Sequence, residues 1–315
     1  MATLEQAAEI IVKDCMNIKK GESVLIITDK EKRTIADAFL EVVKKTADNY
    51  KLVEIPVGNQ HGEEPSEDVA KEMLNYDVII IPTSKSLSHT QARLNACKNK
   101  ARIASMPMIT EEILQRAIDI DYQELKKVHE RLRKILIGSK EVKITTKAGT
   151  NVTTTVTEVH GEAAGLLHEP GDWGNLPTGE VDSGVKEEIT NGIIIVDASF
   201  GGLGKLESPL KLEVKDGYVV SIEGKDAVGL KNMLDLVGKQ AYKIAELGIG
   251  TNPKATVTGE VLEDEKALGT AHFGLGNDTN YGGCNDVQIH IDGVIKKPTI
   301  YIDDKMIMDN GKLVF

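Results

Sequence analysis

Cysteine is rare in this chain: Cys15, Cys97 and Cys284 are the only three, widely spaced and odd in number. That excludes a disulfide framework and a structural thiolate zinc site, and it fits a reducing interior. Basic charge is short as well. Thirty-eight lysines and arginines stand against forty-nine acids, a net charge of −11, so neither a nucleic acid nor an anionic membrane is an expected partner, and polyanionic substrates are not expected. No apolar run approaches the ~20 residues that a membrane-crossing helix needs, and residues 1–14 carry acids where a secretory signal would carry bases. A cytoplasmic protein is expected. Internal repeats and low-complexity tracts are missing. So is a Gly-x-Gly-x-x-Gly turn after the first strand, and the glycine pairs at Gly201-Gly202 and Gly282-Gly283 lack the lysine and spacing of a phosphate loop.

What is present begins as an alternation. Thr3-Leu4-Glu5-Gln6 spells a capping box that opens an amphipathic helix. Short β-branched runs at Ser23 to Thr28, Leu52 to Pro56, Asp77 to Pro82 and Ala101 to Ser105 are separated by helical patterns, the first around Ile35, Phe39, Val42 and Val43. Unbroken Val/Ile runs predict strands buried on both faces, hence a parallel sheet with helices on either side, Rossmann-like in outline only. A helix from Tyr122 to Ile137 ends at Gly138, and a different texture follows. The fold class expected is α/β: an N-terminal parallel-sheet α/β domain over residues 1–138, then an α+β metal-site domain over 139–315. In the second domain Lys147 to Thr150, Asp216-Gly217 and Asp309-Asn310-Gly311 mark hairpin turns. One helix is predicted from Val228 to Ala245. A glycine-rich stretch from His160 to Gly184 shows little periodicity, and such long irregular segments in compact domains are usually functional.

Candidate chemistry collects toward the C-terminus. His290 and Asp292 lie two apart in Val287 to Asp292, so a strand directs both to one face while Ile289 and Ile291 enter the core. Alone, the pair reads equally as a solvated strand face. His272 precedes Phe273-Gly274-Leu275-Gly276, whose glycines let backbone come close; Glu246 falls at the expected end of the 228–245 helix; Glu180 comes from the irregular segment. Each alone also reads as an ordinary structural or surface group. Together, oxygen and imidazole donors of this kind suit a hard or borderline divalent ion. A second part of a pocket is expected from the first domain, where Ser86 to Arg93 follows a strand end and places His89 and Arg93, and from His160, His168 and Trp173 of the irregular segment.

Four motifs occur in a telling order: Pro177-Thr178-Gly179-Glu180, Glu246-Leu247-Gly248, His272 to Gly276, and His290-Ile291-Asp292. In this the chain resembles the aminopeptidase T and S family of metallopeptidases, as a short member. The resemblance implies that Glu180, Glu246, His272, His290 and Asp292 hold two divalent ions (Zn, Co or Mn), that the protein is a homodimer, and that it trims short peptides. The chain departs from that family in the run Ala267 to Ala271, in the closeness of His272 to His290, and in carrying Thr279 at the family's catalytic tyrosine, with Tyr281 two residues on.

If two ions are held, the pair would lower the pKa of a shared water, and the resulting hydroxide would attack an amide carbonyl. Tyr281 would steady the oxyanion and a glutamate, taken as Glu180, would move the proton. The alternative is a mononuclear Fe(II) ring-cleaving dioxygenase, because 2,5-dihydroxypyridine 5,6-dioxygenase is similar to this family and His272, His290 and Asp292 make a two-histidine, one-carboxylate set. A third reading keeps the metal cleft without turnover. The main expectation is the hydrolase.

Overall fold

Strands that carry β-branched side chains on both faces need cover on both, and the first four apolar runs take that form. The computed structural model describes residues 2–315, so Met1 of the N-terminal reading lies outside it. The chain divides into two units, Met1–Tyr122 with Gly165–Thr178, and Gln123–Ala164 with Gly179–Phe315.

In the first unit five parallel strands run in the order Asn49–Ile55, Ser23–Asp29, Val78–Thr83, Arg102–Pro107 and Trp173–Asn175. Every residue of Val78–Thr83 and of Arg102–Pro107 is buried. Helix Arg33–Thr46 turns Ile35, Ala36, Phe39, Val42 and Val43 inward, the 3.6-residue stripe read from the sequence. Thr3 and Gln6 close the capping box that opens helix Leu4–Ile10. The fifth strand comes from the glycine-rich segment, which leaves the second unit at Ala164 and re-enters it at Gly179. Helix Tyr122–Leu136 lies almost wholly in the second unit, where Leu132 and Leu136 are buried in the core.

The second unit holds two antiparallel sheets, of eight and seven strands. The seven-stranded sheet runs Gly204–Lys205, Ser199–Phe200, His290–Lys296, Thr270–Gly276, Ile244–Gly250, Glu180–Val185 and Val156–Val159. Leu247, Ile249, Phe273, Leu275, Ile295 and Val181 point from it into one apolar core with Val142, Ile144, Val152 and Ile194 of the eight-stranded sheet. The α/β class and the parallel-then-antiparallel order are as expected. One element is not. The helix predicted from Val228 to Ala245 spans Ala227–Val237 and stops at Gly238, whose φ of 104° lies in the glycine-favoured region. A 3₁₀ turn, Lys239–Tyr242, follows, and Ile244–Gly250 is a strand, which places Glu246 on a sheet and not at a helix end. Among the described residues, no helix is long and apolar enough to cross a membrane.

Candidate metal centre

One face of the seven-stranded sheet is core, so the alternate residues of its central strands occupy the other face. Those residues are Glu180, Asp182 and Gly184; Glu246, Gly248 and Gly250; His272, Gly274 and Gly276; and His290, Asp292 and Val294. Register interleaves them: Asp292 pairs with Gly274, Gly274 with Glu246, and Glu246 with Gly184. In the neighbouring row His272 pairs with Gly248, and Gly248 with Asp182. Donors therefore alternate with glycines across the strands. The glycines make the room: a Cβ on Gly248 would lie 2.0 Å from His272 Cε1, and one on Gly274 would lie 2.8 Å from His290 Nε2 and 2.9 Å from Asp292 Oδ1. No side chain larger than hydrogen fits either position unless the donors move.

Glu246 is the hub. Its Oε1 is 3.1 Å from His272 Nε2 and its Oε2 is 2.7 Å from His290 Nε2. Asp292 Oδ1 is 3.4 Å from His290 Nε2, and Glu180 Oε2 is 3.6 Å from His272 Nε2. The Nδ1–H of His290 donates to the Asn277 carbonyl at 2.7 Å, which fixes the ring and leaves Nε2 toward the carboxylates. Two three-donor groups result, Glu246 with His290 and Asp292, and Glu180 with Glu265 and His272, each with ligand atoms within 4.8 Å of one another. Thus His272, expected beside His290 and Asp292, falls in the second group. The other four ligand candidates from the sequence divide between the same two groups.

Burial and charge shift every proton here. Burial would raise the Glu246 carboxyl, but hydrogen bonds from His272 and His290 outweigh it and hold it well below the usual carboxylate range. Burial opposes the charged form of His272, yet Glu246, Glu180 and Asp292 raise it to about 10. His290 is likewise raised against burial, chiefly by Asp292. Burial pushes Glu180 up to about 8 despite the ammonium of Lys266 beside it. The centre is a pool of excess negative charge drawing protons onto its imidazoles, and a divalent cation would take their place.

Tyr281 stands at the edge of this face. Its hydroxyl donates to Asp182 Oδ2 at 3.0 Å, its ring stacks on His160 with centroids 5.1 Å apart, and the His290 ring lies 6.4 Å away. His160 is raised to about 9, first by its hydrogen bond to Asp182. Of the other residues expected to line a pocket, His89, Arg93, His168 and Trp173 belong to the first unit. Arg93 is buried, its guanidinium 3.8 Å over the Trp173 ring, its Nε donating to the Ser88 carbonyl and its backbone N–H capped by Thr90. The His89 ring meets Trp173 edge-on. His168 reaches the Asp14 carbonyl. A recess of about 230 Å³ opens in the first unit near Asp29, Gly58, Glu63, Thr83 and Lys85, but both three-donor groups among the described residues lie in the second.

Three residues were missed. Glu265 and Lys266 sit in a charged run that reads as a solvated helix start, yet Glu263, Asp264, Glu265 and Lys266 are all buried. Asp182, two residues from Glu180, would have followed from treating Glu180 to Gly184 as a strand.

The donor set fits a metal ion on the structure's own terms. Asp292 Oδ1 and His272 Nδ1 are buried without a hydrogen-bond partner, costly for groups of this polarity, and the glycines leave a cradle that any Cβ would fill. Comparison with known proteins then separates the two chemistries that such donors allow. The model of the 2,5-dihydroxypyridine 5,6-dioxygenase family (NicX) matches residues 6–315. The chain belongs to that family. The 2,5-dihydroxypyridine 5,6-dioxygenase of Pseudomonas putida is 26% identical over 169 residues, 48% of this chain and 47% of that protein, so the match spans about half of the relative's length. Two solved structures share the fold: the P. putida dioxygenase, with a TM-score of 0.81 at 18% identity over 100% of this chain and 98% of that one, and AmpT of Thermus thermophilus, with 0.75 at 16% over 99% of each. Membership of the dioxygenase family overturns the expectation of a hydrolase that trims peptides. The likeness to AmpT is a likeness of fold alone. A metal-binding protein remains the expectation that fits.

Proposed function

We propose that this chain is a metal-dependent oxygenase that opens the ring of a hydroxylated pyridine, with one Fe(II) held by Glu246, His290 and Asp292. One observation carries the reading: the match to the dioxygenase family over residues 6–315 includes a glycine-floored face on which those three donors converge. Imidazole and carboxylate oxygen are the donors that non-haem Fe(II) takes. Bound there, the ion would supply the redox chemistry that dioxygen needs and open positions for substrate.

The chain's own residues would do the rest. His290 is oriented by the Asn277 carbonyl, so its Nε2 is presented at a fixed angle. Glu246 stays ionised because two imidazoles hydrogen-bond to it. Tyr281, raised well above its ordinary value by burial first and then by nearby carboxylates, keeps its proton at neutral pH. Its hydroxyl donates a hydrogen bond to Asp182 and can accept one from a ring hydroxyl of the substrate. His160, protonated beside Asp182, would offer positive charge to an ionised ring oxygen.

The test is oxygen uptake. Protein loaded with Fe(II) without air, then given 2,5-dihydroxypyridine and dioxygen, should consume one dioxygen per ring opened, while leucyl, alanyl and aspartyl amides stay intact with Co, Mn or Zn. Amide hydrolysis, or iron-loaded protein that consumes no dioxygen with any dihydroxypyridine, would sink the proposal.

A further inference from the structure

The two donor groups are joined in a way that suggests a pair of ions. Glu246 turns one oxygen to each, Oε1 toward His272 and Oε2 toward His290, as a carboxylate does when it bridges two cations. Each group also holds a buried polar atom with no hydrogen-bond partner, Asp292 Oδ1 in one and His272 Nδ1 in the other. They differ in one neighbour. The ammonium of Lys266 stands inside the second group, 3.1 Å from Glu180 Oε1 and in closer contact with Glu265 Oε1.

This is no surface lysine that happened to swing inward. Its side chain is 1% exposed. The Lys266 carbonyl accepts from the N–H groups of Thr251 and Asn252 at 3.1 and 2.8 Å, and its own N–H donates to the Glu263 carbonyl at 3.1 Å. The backbone thus ties Lys266 to the chain just beyond the Glu246 strand, and the ammonium is held by its contacts to Glu180 and Glu265. A buried ammonium between the buried Glu265 carboxylate and the partly buried Glu180 carboxylate satisfies charges that would otherwise be costly, and a divalent ion among the same oxygens would meet its repulsion in a poorly screening interior.

We propose that Lys266 is a resident cation occupying the second position of what would otherwise be a two-ion centre, so that this site takes a single divalent ion, on Glu246, His290 and Asp292. Lys266 is then the residue that sets the number of ions, and through it the chemistry open to these donors. The inference rests on the metal-dependent reading of the site.

Mn²⁺ alone is a sufficient probe. Wild-type protein should bind one Mn²⁺ per chain with the six-line resonance of an isolated ion. Lys266→Met and Lys266→Gln should each bind two and show the multi-line signal of exchange-coupled Mn²⁺. The second ion should bind on the order of 10²-fold more tightly than any second ion in the wild type, because removing the ammonium leaves Glu180 and Glu265 uncompensated. Two ions in the wild type would overturn the inference while leaving metal dependence intact, and this result needs no variant to fold. Folded variants that still bind one ion would overturn it too. A wild-type chain that takes up no ion would remove the metal-dependent reading and this inference together.

Discussion

The central strands of the two units are equally buried and opposite in what fills the burial. Val78–Thr83 and Arg102–Pro107 in the first unit, and Ile244–Gly250 and Thr270–Gly276 in the second, have every residue buried. In the first unit the space is taken mostly by Val, Ile, Ala and Met side chains, and its partly buried ion pair is closely paired: Arg102 gives two hydrogen bonds to Glu22 and a third to the Met16 carbonyl, with only its Nε left without a partner. In the second, one face carries glycines and acids, with Glu180, Glu246, Glu265 and Asp292 around one ammonium and two imidazoles. A sheet built for stability closes its charges internally. A sheet built for chemistry leaves an imbalance that a ligand completes, and it is held up by the ordinary core on its other face.

The sharpest break in that contrast is Asp292→Ala. It removes one of three donors and a carboxylate already short of a partner, so ion uptake and turnover should fall on the order of 10³-fold, equivalent to about 4 kcal/mol. The stability of the metal-free protein should stay within about 1 kcal/mol of the wild type, as for changes that leave no cavity in the core. Metal analysis and a thermal melt of metal-free protein read the two separately, and a melt that collapses along with ion uptake would remove the distinction between the sheets. The converse is Ile80→Ala, in a strand buried on both faces. It should cost about 2–5 kcal/mol of stability by leaving a cavity, with the ion-binding constant of the folded fraction unchanged. Denaturant unfolding and Mn²⁺ titration together check it.

How much of this was legible follows the same division. The first unit could be read because its strands announce themselves by unbroken β-branched runs and its helices by an apolar stripe; in the second, the hairpins at Asp216-Gly217 and Asp309 to Gly311 could be read by their turn residues. On the second sheet the pattern was present but written in glycine: Glu246-x-Gly248-x-Gly250 and His272-x-Gly274-x-Gly276 alternate with period two. Glycine scores as a breaker, so Glu246 was assigned to the end of a helix. Glu265 and Lys266 were passed over because four consecutive charged residues are normally solvated, whereas here the chain buries them all. The type of reaction was harder still. Five donors agree with a dinuclear hydrolase and with an oxygenase alike, and nothing in their spacing reports the ammonium that sits among them.

The smallest expected effect probes the matched pair. Burial alone would raise the Glu22 carboxyl, but the hydrogen bonds from Arg102 and from the Lys19 N–H outweigh it and set it below its ordinary value. A carboxyl lowered on folding contributes stability that is fully present above its unfolded pKa and is lost as pH falls through the folded value. Glu22→Gln should therefore cost about 1 kcal/mol at pH 7, the net worth of a hydrogen-bonded charge. The gap between variant and wild type should narrow as pH falls below the ordinary glutamate range. Urea unfolding of the metal-free proteins across that range checks both the size and the sign, and a gap that widens toward acid would mean that Arg102 is not held by the ionised form of Glu22.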